Sequence, residues 1–209
     1  MDHSARSLVE WSAASRPKSG ETVSGDAYLA THVGDTALIA VVDGLGHGTE
    51  AAEVANTAVA VVESHATESL SELVRWCHSA LRGTRGVVMT LASIDCANGT
   101  LTWLGVGNVS AVLLRANPTH HRARDVREHL VLRGGVVGQK VPLVVPATLK
   151  VSSGDTLVIA TDGIQWNAQN EALPRGNPDS MAQRLVDGSK PTDDALVVVA
   201  RLCDPDDNR

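Results

Sequence analysis

The chain has 209 residues, of which 43% are apolar and 20% charged, with a formal net charge of −6. That length suits one domain with a sizeable core, residues 1–209 as a whole, and the acidic balance argues against a nucleic-acid partner, which needs a basic face. No apolar run approaches the ~18 residues of a membrane span, the opening "MDHSARSLVEWSAASRPKSG" is too polar for a leader, and Cys77, Cys96 and Cys203 form no C-x-x-C pair, so the expectation is a cytoplasmic protein with reduced thiols, without a membrane.

Aromatics are scarce and Phe is absent, so the core has to be built from Val, Leu, Ile and Ala. Strands are predicted at about residues 7–14, 26–32 and 36–42. Two Ala-rich helices follow. The first, at 49–65, takes Thr49 as its N-cap. The second, at 69–82, spaces Leu70, Leu73, Val74, Cys77 and Leu81 at helical intervals. Then come strands at 87–96, 100–106 and 110–115. Asn98-Gly99 between the first two is a strong hairpin signal. "TLKVSSGDTLVIATDG" reads as another hairpin, turning at Ser153-Gly154-Asp155. A helix near 178–187 precedes a last strand at 195–202. Hairpins imply antiparallel pairing, and strand runs interrupted by paired helices suggest an α+β layered fold. Trp76 and Trp103 are expected in the core. A basic run at 122–127 and the pair His120-His121 fall in a polar loop, and 121–142 mixes charge with glycine in a way that suits either a flap contributing to partner choice or a plain solvated loop.

Four places put a carboxylate at a strand edge. "ALIAVVDGL" ends in Asp43-Gly44 and "TLVIATDGI" in Asp162-Gly163. Asp26 in "SGDAYLA" and Asp193-Asp194 in "TDDALVVVA" stand just before apolar runs. Singly, each suits a turn or a strand start. Together they suit something else, because a sandwich can bring its strand ends to one rim. Carboxylates gathered there raise one another's pKa unless cations neutralise them. Oxygen donors suit hard ions such as Mg²⁺ or Mn²⁺. On this reading Gly44 lets a backbone carbonyl approach a metal, while Gly46 and Gly48 let the next loop turn tightly beside a substrate.

With "SGDAY", "VVDGLGHG", "GVGN", "ATDG" and "TDDA" in that order over residues 24–195, the chain resembles the metal-dependent protein phosphatases of the 2C type. Within them it looks closest to the short bacterial branch that includes SpoIIE, RsbU and RsbX, and most like the stand-alone RsbX form. The resemblance implies a β-sandwich of mainly antiparallel sheets flanked by helices, with two divalent cations, Mn²⁺ or Mg²⁺, at one end. By analogy Asp43 bridges both ions, Asp162 and Asp193 serve one, and Asp26 with the Gly44 carbonyl serves the other. Asp43 and Asp162 thereby support attack of a metal-activated water on a phosphoserine or phosphothreonine, with Gly46 and His47 as substrate contacts. The implied partners are phosphorylated STAS-domain proteins of a stressosome-like or related partner-switching complex, met by a monomer. No counterpart of the phosphate-binding arginine of the better-known relatives is evident. Arg16 lies upstream of Asp26 without support for that role.

Other readings fit less well. "GLGHGT" lacks the third glycine of a dinucleotide loop, and the hairpins downstream do not suit a parallel sheet. Cys203 to Arg209 has the C-x5-R spacing of a cysteine phosphatase, but "CDPDDNR" is acidic and would repel phosphate. A phosphatase-like fold acting only as a binding module is the remaining alternative.

Overall fold

The computed structural model describes residues 9–116, 127–141, 143–165 and 176–203. His120-His121, residues 122–126 of the basic run and the first two positions of the first predicted strand lie outside them. Ten strands and three helices are found there: β1 (Val9–Arg16), β2 (Asp26–Val33), β3 (Thr36–Gly44), α1 (Thr49–Ser64), α2 (Leu70–Ala80), β4 (Val87–Asp95), β5 (Thr100–Val106), β6 (Ser110–Leu114), β7 (Arg127–His129), β8 (Ala147–Lys150), β9 (Thr156–Ala160), α3 (Pro178–Asp187) and β10 (Ala195–Leu202). They form two five-stranded sheets, ordered β1-β10-β9-β6-β7 and β2-β3-β4-β5-β8, in which every ladder is antiparallel.

Strand alternation builds the layers. On β3, Ala37, Ile39 and Val41 face the other sheet, while Leu38, Ala40 and Val42 face α1 and α2. On β10, Leu196, Val198, Ala200 and Leu202 face inward, while Ala195, Val197 and Val199 meet α3. Both strands, interior to their sheets, are thus buried on both faces, which is why they read as unbroken apolar runs rather than as alternation. The result is four layers: helices α1 and α2, sheet, sheet, helix α3. Small residues fit α1 to this role. Ala51, Ala52, Ala55 and Ala58 form its buried stripe and let the helix lie close to the sheet. Ser69 caps α2 by accepting the Glu72 N–H, and Asn177 caps α3 by accepting the Ser180 N–H.

Three expectations need correcting. The residue preceding α1 is Gly48, with φ 73° and no side-chain cap, so Thr49 is the first helical residue and not the cap. β8 and β9 are not a hairpin. The turn at Ser153-Gly154-Asp155 exists, closed by the Asp155 N–H on the Ser152 carbonyl, but β8 pairs with β5 and β9 pairs with β6 and β10. Val151 is buried in the core between the sheets, so the chain crosses there from one sheet to the other. Trp76 is 47% exposed and stacked on His65, because it lies on the outer side of α2, away from the stripe of Leu70, Leu73, Val74 and Cys77. Trp103 is buried as expected.

Candidate active site

Antiparallel order brings one end of β2 and β3 to the same pole as one end of β9 and β10. Asp26 opens β2 and sits directly across the ladder from Asp43 near the end of β3. Thr161 and Asp162 follow β9, and Asp193-Asp194 precede β10. A side-chain hydrogen bond ties the two sheets together at this rim: the Thr161 hydroxyl donates to Asp26 Oδ2 at 2.8 Å. Thr161 also accepts the Leu196 N–H at 3.0 Å, so the side chain that orients Asp26 is itself held by β10.

The glycines of the two Asp-Gly pairs are required by close approach. A Cβ on Gly44 would collide with the carbonyl of Ala51 in the first turn of α1 and stand 3.0 Å from the Gly25 carbonyl. A Cβ on Gly163 would strike the carbonyl of Asp194. The turns that present Asp43 and Asp162 are therefore packed backbone against backbone. Gly46 and Gly48, at φ 106° and 73°, need left-handed conformations that suit glycine.

A cleft of about 510 Å³ opens at the rim, lined by Asp43, Asp162 and Asp193 together with Gly46, His47, Asn108 and Lys18. Asp26, across the ladder from Asp43, does not line the cleft. Lys18 is the single Lys or Arg among the described residues that line this cleft.

The electrostatics are those of like charges held together. Burial, and next Asp43, push Asp26 up to about 8, with the Thr161 hydrogen bond opposing. Burial, then Asp162 and Asp193, push Asp43 up to about 7. Asp162 is more open to water. Its carboxyl is also raised, by burial and by Asp193, while a 2.7 Å hydrogen bond from Asn108 Nδ2 acts the other way. Among the described residues none of Asp26, Asp43, Asp162 and Asp193 makes an ion pair with Arg or Lys.

Asp194 is different. Its oxygens accept the backbone N–H of Lys18 at 2.8 Å and of Gly25 at 2.9 Å, and it is buried. It ties the loop between β1 and β2 to the start of β10, and so sets Asp26, Lys18 and Asp193 relative to one another. Asp193 meanwhile stays exposed. Sequence reading left Asp194 unassigned and missed Lys18 and Thr161. "TDDA" gives no sign of which carboxylate turns inward. Asn108, read as part of a tight turn, also proves to hold Asp162. His47 is exposed at the cleft with its Nδ1 2.7 Å from Glu21 Oε1, a partner from a remote loop that the sequence did not suggest. Arg16 points elsewhere, to Ser189 Oγ and the Lys190 carbonyl.

Among the described residues no three Asp, Glu, His or Cys side chains close around a point to make a complete metal shell. The donors at the rim are all hard oxygens. An open set of carboxylates beside backbone carbonyls and water suits Mg²⁺ or Mn²⁺, which keep several waters, and does not suit a closed N/S site of the zinc type. The residues present fit divalent cations of the first kind.

The SpoIIE (Stage II sporulation protein E) family profile matches residues 34–202, spanning every element from β3 to β10. The chain belongs to the SpoIIE family of 2C-type phosphatases. Phosphoserine phosphatase RsbX of Bacillus subtilis (strain 168) is 26% identical over 159 residues, 76% of each chain. A solved structure from work on the bacterial stressosome as a modular system adapted to control secondary messenger signalling is 32% identical, with a TM-score of 0.83 over 92% of this chain and 99% of that one. RsbX in complex with magnesium shares the fold, with a TM-score of 0.81 at 21% identity over 93% of this chain and 95% of that one. The expected α+β sandwich of this family is thereby borne out.

Proposed function

We propose that this SpoIIE-family chain is an RsbX-like, Mn²⁺- or Mg²⁺-dependent phosphoserine/phosphothreonine protein phosphatase, acting in the cytoplasm as a monomeric catalytic domain over residues 1–209. The observation that carries the reading is the rim itself: four aspartates from four strand ends, unpaired by Arg or Lys among the described residues, beside a cleft that admits a phosphorylated side chain.

Asp26, Asp43, Asp162 and Asp193, with the Gly44 carbonyl, would hold the two ions. Such a pair of ions, when bound, supplies an activated water and neutralises the charge of a phosphate ester. The chain's own residues do the rest. Thr161 and Asn108 orient Asp26 and Asp162. Asp194 fixes the loop that brings Lys18 to the cleft, where its ammonium would meet the phosphate. The Gly46 backbone and His47, steadied by Glu21, would contact the substrate at the mouth, while the absent side chain of Gly46 leaves room for the Arg85 guanidinium.

The substrate class is argued from relationship. The chain resembles RsbX and a structure from the bacterial stressosome, so phosphorylated STAS-domain proteins of a stressosome-like or partner-switching complex are the expected substrates. Purified phospho-STAS protein incubated with this chain and Mn²⁺ should lose its phosphate, as read by mass spectrometry. Retention of the phosphate while a small phosphate ester is hydrolysed would reject the STAS assignment alone.

A further inference from the structure

Two stretches of this acidic chain contain no carboxylate at all: residues 73–94 and residues 129–154. The fold brings them together beside the cleft. Val87 and Val137 form a bridge with hydrogen bonds in both directions, at 3.0 and 2.8 Å. The Gly138 N–H donates to His78 Nδ1, and Gln139 Nε2 donates to the Arg85 carbonyl. Gly138 is packed so closely on Leu81 that a Cβ there would lie 2.8 Å from the Leu81 carbonyl. The Arg133 carbonyl accepts the Gly107 N–H at 2.8 Å, next to Asn108, and Val136 lines the cleft. The joined segments thus form one wall of the approach to the aspartate rim.

That wall carries exposed cations: Arg82, Arg85, Arg133 and Lys140. Of these, Arg85 is paired, with Glu50 of α1. A second observation is independent of charge. Val131, Leu143 and Val145 are 72%, 87% and 70% exposed and are the three most exposed large apolar side chains among the described residues. All three belong to this segment. Scattered apolar side chains are ordinary on a surface, but a concentration of the most exposed ones beside a site marks a contact face.

From this we infer that the wall formed by residues 81–86, 130–141 and 143–145 docks the protein substrate, by taking an acidic, partly apolar surface that surrounds the phosphorylated residue. This rests on the phosphatase reading above and names the chemistry its protein substrate must present. Cations at the rim of an interface act chiefly by steering and orienting a partner, and salt weakens them. A small phosphate ester in the cleft meets the wall only at Val136 and does not need its exposed cations. Discrimination should therefore appear with peptides and vanish with p-nitrophenyl phosphate.

The test uses three synthetic phosphoserine peptides with acidic, neutral or basic flanks, beside p-nitrophenyl phosphate, for the unmodified protein and the Arg133→Glu/Lys140→Glu variant. The expected result is a kcat/KM about fivefold or more higher for the acidic peptide at about 50 mM salt, narrowing at about 300 mM. The variant should reverse that order while hydrolysing p-nitrophenyl phosphate at the unmodified rate. Arg133→Gln/Lys140→Gln should abolish the preference without reversing it. Equal use of the three peptides, or a preference that survives in both variants, would overturn the inference and leave the phosphatase reading standing. So would an RNA oligomer that blocks acidic-peptide turnover at equimolar concentration, since the face would then serve nucleic acid. If the unmodified protein hydrolyses no phosphate ester at all, the phosphatase reading fails and the docking inference falls with it.

Discussion

Strand β9 carries a carboxylate just beyond each end, and the two live in opposite electrostatic worlds. Asp155, at the pole away from the cleft, is buried and fully partnered. It accepts Arg115 at 2.8 Å, the Ala116 N–H at 2.9 Å and the Ser152 N–H at 3.1 Å. Arg115 also pairs with Glu128, so that pole is a closed network. Asp162, five strand residues on, faces Asp43 and Asp193 instead, with one amide hydrogen bond as its support. A fold gains stability from the first arrangement and loses it from the second, because carboxylates pressed together without a cation repel. The repulsion is the mark of a site arranged for something the chain does not itself supply.

Exchanging the two roles by mutation should break the comparison most visibly. Asp162→Asn should cut hydrolysis of p-nitrophenyl phosphate by about a hundredfold or more, since each tenfold is about 1.4 kcal/mol of transition-state stabilisation and a metal site supplies several. It should leave the urea midpoint of the metal-free protein unchanged or higher. Asp155→Ala should do the reverse. Removing the carboxylate leaves the Ala116 and Ser152 N–H groups without their acceptor and takes one of two carboxylate partners from the half-buried Arg115, which should lower stability by about 2–3 kcal/mol in urea denaturation, while the turnover of the folded protein stays within about twofold. Loss of activity in both variants, in proportion to stability, would dissolve the distinction.

Asp194 lies on the same rim yet is wired like Asp155, and its variant sharpens the contrast. Asp194→Ala frees two backbone N–H groups and should destabilise the protein by about 2–3 kcal/mol, as read by thermal denaturation, with weaker metal binding as a consequence of the loosened loop.

The pH dependence follows from the same comparison. Asp43 and Asp26 are raised from an ordinary 3.8 to about 7 and about 8 in the fold. The unfolded chain therefore ionises first as pH rises. The stability these groups allow is intact below pH 4 and is lost progressively as pH climbs through 7 and 8. In EDTA the urea midpoint should fall between pH 5 and pH 8, and millimolar Mg²⁺ should flatten that fall. A midpoint that rises over this range in EDTA would contradict the crowded-carboxylate account. The smallest effect is expected of Asn108→Ala, which removes the Asp162 hydrogen bond at an exposed position and should cost turnover about fivefold.

Much of this was legible in the sequence, for a physical reason. Strands buried on both faces, β3 and β10, announce themselves as apolar runs, and the aspartates at their ends are visible because nothing else interrupts those runs. What was hidden depends on partners remote in sequence. Glu21 meets His47, Lys18 meets Asp194, and Asp26 meets Thr161 only once the two sheets are stacked. The turn at Ser153-Gly154-Asp155 shows the limit well. Its local chemistry correctly gave a turn, but no local signal says whether the strands on either side share a sheet. Trp76 was misplaced because aromatic character suggests burial, whereas the helical phase of α2 puts that position outside.

The most direct test of the central claim is hydrolysis of p-nitrophenyl phosphate with Mn²⁺, with Mg²⁺ and with EDTA, run beside Asp43→Asn and paired with calorimetric titration of the metal. Metal-dependent turnover, calorimetric binding, and loss of both in the folded Asp43→Asn protein are expected. No turnover in either metal, together with no metal bound by the unmodified protein, would contradict that claim and leave a phosphatase-like fold that binds partners without catalysis.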